Sequence, residues 1–190
     1  MIKKIIAPPS SGLSWTNHAS AGPLPHDLVV AIREVYQPAG LEITAAPQRE
    51  AESEEYGACR FALQGRAVVF RVAKTTPTKI GQFVTVWKRP KPGDEIAPLD
   101  CRDDIAFVII SSADAAHRGQ FVFPCAALMS RGVMSQDGAG GKRGIRVYPP
   151  WSKPTVAEAI KTQKWQLPFF LRFDADGAAD PAQVRKLFPS

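Results

Sequence analysis

The sequence FRVAKTTPTKIGQFVTVWKR runs from Phe70 to Arg89 and contains two β-prone segments on either side of a proline. Residues 67–72 and 83–87 are rich in the branched and aromatic residues of buried strands. Proline cannot donate to a strand ladder and restricts the residue before it, so we predict that residues 75–78 interrupt the strands. This pattern places candidate binding residues at strand ends, although an ordinary solvated surface over two core strands is the alternative. The candidates are Lys74, Lys79, Trp87, Lys88 and Arg89.

Further strands are predicted on both sides of this region. Residues 56–63 and 66–73 are joined by Gln64 and Gly65, a two-residue hairpin signal. Residues 105–110 form a continuous apolar run that is typical of a central strand, and residues 120–123 are its expected hairpin partner. Shorter strands are expected over residues 41–44 and 145–148.

Helices are predicted before, between and after the strands. Apolar residues recur at helical spacing over residues 28–36, and a short helix is expected over 126–129. Thr155 and Glu158 have the spacing of a capping box at the start of a third helix, and residues 181–188 form a last one. One side of the third helix carries Val156, Ala159, Ile160 and Gln163.

This mixture of strands, hairpins and helices predicts a single α/β domain with a mixed central sheet and flanking helices. The length of 190 residues fits one domain, since domains usually span about 100–200 residues. The proline-, serine- and glycine-rich beginning is interpreted as an extended arm over residues 1–25. The domain itself is predicted over residues 26–173, and a C-terminal tail over residues 174–190.

Composition excludes several classes of protein. Apolar residues make up 45% and charged residues 22% of the chain, as in ordinary globular proteins. No apolar run approaches the roughly 18 residues of a transmembrane helix, so no membrane partner is expected. Three scattered cysteines and three scattered histidines match neither a disulfide framework nor a zinc motif, which favours a reducing, cytoplasmic location without a metal site.

Positive charge is concentrated in the middle of the chain. The whole chain has a formal net charge of +6, whereas residues 60–165 contain 17 basic and 8 acidic residues and so carry +9. A basic body with slightly acidic ends indicates a surface that binds a polyanion. A basic surface without a partner is the alternative.

The second half of the chain combines these cations with aromatic residues. The glycine-rich loop 137–144 lacks the motif order of a nucleotide-binding P-loop, so we expect it to hold a phosphate backbone or to be an exposed hairpin loop. Cations and stacking faces together are what a single-stranded nucleic acid needs, whereas the alternative for each tryptophan is a core position. The residues predicted for this role are Lys142, Arg143, Arg146, Tyr148, Trp151, Lys161, Lys164 and Trp165.

A metal-dependent nuclease would need carboxylates that this sequence does not supply at the expected places. One sheet-borne nuclease pattern has an acid on one strand and Glu-x-Lys on the next; here Lys74 is present, but the glutamate position is Val72. The first acid would fall near Cys59 or Arg60. The acidic residues that could substitute for it are Glu54 and Glu55, which also fit a solvated acidic loop.

Five motifs together resemble the motif set of the MepB-like family, over about residues 28–170. They are FRVAKTTPTKIGQFV at 70–84, WKR at 87–89, GQFVFP at 119–124, GKRGIRVYPPW at 141–151 and KTQKWQ at 161–166. The resemblance implies a restriction-endonuclease-like fold similar to that of the PD-(D/E)XK nucleases. It fixes no activity, and the missing acids put hydrolysis in doubt while leaving a basic cleft.

The sequence therefore predicts a protein that binds single-stranded DNA or RNA through a basic, aromatic-lined cleft and does not cut it. No cofactor is expected under this interpretation. One alternative is an active nuclease that uses Glu54 or Glu55 with Lys74 and Mg²⁺ or Mn²⁺. The other is a non-catalytic module that binds a protein or a small molecule in a drug or stress response.

Overall fold

The computed structural model describes residues 22–173 and 179–189. The helices are α1 (His26–Ala31, continued by a π-helical turn over Ile32–Tyr36), α2 (Cys125–Ser130), α3 (Ala157–Gln166) and α4 (Pro181–Leu187). The strands are β1 (Ile43–Arg49), β2 (Cys59–Leu63), β3 (Arg66–Val72), β4 (Lys74–Thr76), β5 (Lys79–Thr85), β6 (Trp87–Lys88), β7 (Ala97–Pro98), β8 (Phe107–Ala113), β9 (Arg118–Pro124), β10 (Gly144–Val147) and β11 (Phe170–Arg172). Short 3₁₀ turns cover Glu54–Tyr56, Cys101–Asp103 and Leu167–Phe169.

A six-stranded sheet in the order β1-β2-β3-β8-β9-β11 forms the centre of the molecule. Strands β3 and β8 are parallel and the other neighbours in this sheet are antiparallel, which confirms the predicted α/β class with a mixed central sheet. A smaller sheet in the order β10-β5-β4 and the pair β6-β7 complete the strands described. The more specific likeness to restriction endonucleases stays a prediction.

Two hydrophobic cores lie on opposite faces of the large sheet because the side chains of a strand alternate. Val68 and Phe70 of β3 belong to the first core, together with residues of α1 and α4. Val69, between them, belongs to the second core, which includes residues of β5, β10 and α2. Helices therefore cover one face of the sheet, while the smaller sheet covers much of the other.

The stretch from Phe70 to Arg89 connects the two sheets. The chain leaves the large sheet after Val72 and enters the small one as β4, which pairs with β5. The predicted interruption at residues 75–78 is thus partly wrong, because Lys74–Thr76 is itself a strand and the turn follows it. Gln82 of β5 links the small sheet to β8 of the large sheet by hydrogen bonds. Its Nε2 donates to the carbonyl of Ala113 at 2.8 Å, and its Oε1 accepts from the hydroxyl of Ser112.

The predicted hairpin and central strand are confirmed. Gln64 and Gly65 both have positive φ, 52° and 72°, as a tight turn between right-twisted strands requires. Residues 107–110 of β8 are buried between β3 and β9. The first strand is longer than predicted: β1 extends to Arg49 and includes Pro47, which an edge strand with register shifts tolerates.

The start of α3 differs from the prediction. Val156 is its N-cap residue and no side chain caps it, so the proposed capping box of Thr155 and Glu158 is wrong. Val156 is 66% exposed and Ile160 48% exposed, so the predicted apolar side does not pack into a core. The helix is held instead by Gln166, which is buried and is described with the site below.

The structure describes most of the predicted C-terminal tail but only the last residues of the predicted N-terminal arm. Residues 1–21 of the predicted arm lie outside the described residues. The segment predicted as a tail contains α4, whose buried Val184 and Leu187 belong to the first core. Within the described part of the chain, no helix is long and apolar enough to cross a membrane.

Candidate nucleic-acid interface

Lys74 lies beside the acidic segment that precedes β2. Its Nζ is 3.6 Å from Oε2 of Glu55 and 4.9 Å from the ring centroid of Tyr56. The 3₁₀ turn that carries Glu54 and Glu55 leaves both residues exposed. Lys74 therefore has a carboxylate partner from its own chain, which lowers its attraction for an external phosphate.

The cations that follow β5 are paired in the same way. Arg89 donates from Nε to Oε1 of Glu52 at 2.6 Å, and its guanidinium lies 6.0 Å from the ring centroid of Trp87. Lys88 forms a salt bridge with Asp103. The structure thus places Trp87, Lys88 and Arg89 among carboxylates rather than in an open basic surface.

A cleft of about 380 Å³ between β10, α3 and the end of α2, here called the basic cleft, has a different character. No carboxylate of the described residues lines it. Three cations do so, and in residues 22–173 and 179–189 none of them forms a salt bridge with a carboxylate. The lining residues are Arg131, Val133, Lys142, Gly144, Ile145, Arg146, Tyr148, Thr162, Trp165 and Gln166.

Arg146 is fixed by neutral acceptors rather than by an acid. Its Nη2 donates to the hydroxyl of Thr76 at 2.8 Å. Its Nη1 lies 3.1 Å from the carbonyl of Gly81 and 3.3 Å from that of Lys79. These groups orient the guanidinium without neutralising it, so a positive charge stays available to an anion in the cleft.

Arg131 and Trp165 form the opposite wall. The guanidinium of Arg131 lies 5.5 Å from the ring centroid of Trp165, within the range of a cation–π contact. Trp165 also packs against Phe123 of the second core, with ring centroids 5.4 Å apart. Arg131 is not among the site residues predicted from the sequence. The available signal was that Arg131 is a cation without an acidic neighbour in sequence.

Gln166 joins α3 to the free edge of β10 and so shapes the cleft. Its Oε1 accepts from the backbone N–H of Tyr148 at 2.9 Å, and its Nε2 donates to the carbonyl of Arg146 at 3.0 Å. The ring of Tyr148 packs on Gly81, where a Cβ atom would lie 2.7 Å from two ring carbons. Tyr148 is therefore a buried wall of the cleft, with 9% exposure, and not a free stacking platform.

Asp100 holds the glycine-rich loop that carries Lys142. Its Oδ2 accepts from the hydroxyl of Ser135 at 2.7 Å and from the backbone N–H of Gly138 at 2.8 Å, while Oδ1 accepts from Nε of Arg102 at 2.7 Å. The hydrogen bonds from Arg102, Ser135 and Gly138 hold the pKa of this carboxyl well below its ordinary value. The loop is thus fastened to the body by an ionised carboxylate.

The other predicted residues of this half lie outside the basic cleft. Trp151 stacks on His117, with ring centroids 5.2 Å apart and planes inclined by 14°. Lys161 donates to Glu158 at 2.9 Å across an exposed turn of α3. Arg143 and Lys164 are exposed. The structure therefore brings together Lys142, Arg146, Tyr148 and Trp165, and adds Arg131.

Glu50, which directly follows β1, pairs with residues of β2 and β3. Its two oxygens form salt bridges with Arg60 and, at 2.7 Å from Nη1, with Arg71, whose side chain is 1% exposed. Cys59 is buried beside this group, and burial raises the pKa of its thiol to about 11. In the described residues, no three His, Cys, Asp or Glu side chains are grouped as metal ligands.

A larger hollow of about 630 Å³ lies at the edge of the first core. It is lined by two arginines and by the carboxylate-bearing Glu42. One of these arginines, Arg66, donates to the carbonyl of Pro189 and lies 4.9 Å from the ring centroid of Phe107. Its cations are fewer and partly committed, so we favour the basic cleft as the candidate site.

Comparisons with known proteins agree on one family. A family model described as MepB-like matches residues 50–172, a range that contains every residue of the basic cleft. Among solved structures, the chain is similar to the crystal structure of MepB, with 32% sequence identity and a TM-score of 0.63. That match covers 66% of this chain and 84% of the other. A search of curated proteins finds no match.

Proposed function

The chain belongs to the MepB-like family, and we propose that it binds single-stranded DNA or RNA through the basic cleft without hydrolysing it. The observation that carries the proposal is the composition of this cleft. Arg131, Lys142 and Arg146 supply three positive charges without a facing carboxylate, beside Trp165. A phosphate backbone provides the complementary charges, and bases provide faces that stack on aromatic rings.

Single strands fit this cleft better than duplexes. The cleft is a hollow of about 380 Å³ between one strand and one helix, with an aromatic wall. Aromatic stacking requires bases that are not already stacked and paired in a helix. A backbone that passes through the hollow would place phosphates near the three cations and a base near Trp165.

The salt bridges of Glu50 support the proposed absence of hydrolysis. A metal ion at the strand ends would need carboxylate oxygens, which Mg²⁺ usually takes from one or two acidic residues. Glu50 already forms salt bridges with Arg60 through Oε1 and with Arg71 through Oε2, and among the described residues the buried Oε2 accepts no hydrogen bond of good geometry. A metal ion would have to displace two guanidinium groups from Glu50. One of them, that of Arg71, is buried, so its positive charge would be left without a partner.

The binding proposal is tested by fluorescence anisotropy with labelled single-stranded DNA and RNA of about 12 nucleotides, within the usual site sizes for such proteins. Lys142→Glu should weaken binding strongly because it reverses a charge in the cleft. Lys91→Glu is the matched control, since Lys91 is also exposed and lies in a loop outside the cleft. Equal affinities of the two variants would contradict the assignment of the cleft.

The proposed lack of cleavage is tested with the same strands in the presence of Mg²⁺ or Mn²⁺. We expect intact substrate after incubation. Metal-dependent cleavage that is lost in the Glu54→Gln/Glu55→Gln variant would instead establish the nuclease alternative. If neither strand binds and neither is cut, a protein-binding or small-molecule-binding module is favoured.

A further inference from the structure

A second cleft, of about 500 Å³, lies directly beside the basic cleft and is here called the apolar cleft. The two clefts share Arg146 and Tyr148 in their walls. The apolar border of this second cleft includes Ile80 of β5, Pro154 and Val156 at the start of α3, and the predicted site residue Lys79 also lines it. A charged hollow and a more apolar hollow are thus neighbours that share one arginine and one tyrosine in their walls.

Two large apolar residues of this cleft are exposed and belong to neither core. Ile80 is 47% exposed and Val156 66% exposed. Both sit on fixed elements, since Ile80 lies in β5 and Val156 precedes the first turn of α3. Single exposed apolar residues are common, but two that border the same hollow beside an unneutralised arginine indicate a surface that contacts an apolar group.

We propose that the apolar cleft receives a nucleobase of the strand whose phosphates lie in the basic cleft. This inference rests on the proposed function and specifies which part of the ligand each cleft takes. A single strand alternates a charged phosphate with a flat base whose faces are weakly polar. The basic cleft offers charge to a phosphate, and the apolar cleft beside it offers Ile80 and Val156 to the next base. Arg146 and Tyr148 lie between the two clefts.

The rim of the apolar cleft gives little basis for choosing among bases. Apart from the two shared residues, its polar and charged residues are Thr78, Lys79, Thr155 and Glu158, and Lys79 is exposed. Glu158 already accepts a hydrogen bond from Lys161 at 2.9 Å, and both side chains are exposed to competing water. The subsite therefore recognises the apolar face that all bases share, so binding tolerates sequence changes.

The test compares a labelled oligothymidylate of about 12 nucleotides with an abasic strand of the same length, at one salt concentration. The wild-type protein should bind the normal strand roughly fivefold or more tighter than the abasic strand, since a stacked base contributes at least this factor. In Ile80→Ser/Val156→Ser the preference for the normal strand should fall by roughly this factor, which leaves only the contribution of a base at Trp165, while binding of the abasic strand stays unchanged. Both side chains are largely exposed, so this variant should keep the fold, which its melting temperature checks.

Ile160→Ser/Leu167→Ser is the matched control, because both residues are exposed and lie outside the two clefts. It should keep the full preference for the normal strand. A preference for the normal strand that is as large in Ile80→Ser/Val156→Ser as in the wild-type protein, with salt-dependent binding retained, would overturn the base subsite and leave the proposed function standing. If the wild-type protein binds neither strand, both the proposed function and the subsite are refuted.

Discussion

Replacing Glu50 with glutamine tests whether the carboxylate at the strand ends has a structural role. The substitution keeps the shape of the side chain and removes the charge that faces Arg71, whose side chain is 1% exposed. Burial lowers the pKa of Arg71 and Glu50 opposes this effect, so the loss of Glu50 leaves a buried guanidinium uncompensated. Removing one partner of a buried pair costs about 3–5 kcal/mol, and we expect the lower end because Glu50 is 21% exposed.

Urea unfolding measures this loss. With a slope of roughly 2 kcal/mol/M, a cost of about 3 kcal/mol lowers the midpoint by about 1.5 M. Glu52→Gln is the matched control, since it removes the charge from a half-exposed pair with Arg89 and should move the midpoint much less than Glu50→Gln does.

A double variant separates the buried charge from other effects of the substitution. Glu50→Gln/Arg71→Met removes both charges and fills the space with an apolar chain, so it should be more stable than Glu50→Gln alone. The reasoning is refuted if Glu50→Gln unfolds within about 0.5 kcal/mol of the wild-type protein, the usual range of surface substitutions. It is also refuted if Arg71→Met does not rescue the single variant.

Three further predictions concern exposed positions and the glycine-rich loop. Lys161→Ala/Lys164→Ala should change the free energy of unfolding by no more than about 0.5 kcal/mol per residue, and a much lower melting temperature would show that these lysines are structural. Val156→Ser should raise the stability by about 0.5–1 kcal/mol in urea unfolding, because it supplies the capping hydroxyl that α3 lacks; an unchanged or lower midpoint would contradict this. Asp100→Asn should lower the melting temperature at pH 7. The folded-state pKa of Asp100 lies below its ordinary value of 3.8, so its stabilisation is complete above about pH 5 and is lost on acidification. The gap between wild type and variant should therefore shrink from pH 7 to pH 3, and a gap that grows would reverse the assigned sign.

Much of the fold could be predicted from local patterns. Residues 68–70 of β3 and 107–110 of β8 are continuous apolar runs because both faces of these strands are buried, and the conformational preferences of Gln64 and Gly65 favour a turn. The position of α3 could not be predicted in this way. Two of its anchors are polar, since Gln166 pairs with the edge of a strand and Gln163 donates to the preceding loop, and the third is the single aromatic Trp165, whereas periodicity arguments look for a continuous apolar face.

The kinds of residue that form the candidate site could be predicted from the sequence, but the full set of residues that come together there could not. Lys142, Arg146 and Trp165 come from one contiguous region of basic and aromatic residues, which composition reveals. Arg131 joins them only through the tertiary arrangement that brings the end of α2 to α3. Lys74 shows the converse, because the acidic segment that faces it belongs to an earlier turn, and one-dimensional charge counts do not show such pairing.

The dependence of single-strand affinity on salt tests the central claim most directly. Each neutralised phosphate contributes a slope of about −0.7 to the logarithm of affinity against the logarithm of salt, so three cleft cations predict about −2 for the wild-type protein. Arg131→Gln/Lys142→Gln should reduce this slope to about −0.7, whereas Lys91→Gln/Lys153→Gln, outside the cleft, should leave it near −2. An affinity that does not change with salt, or an equal slope in the two double variants, would contradict phosphate binding in the basic cleft.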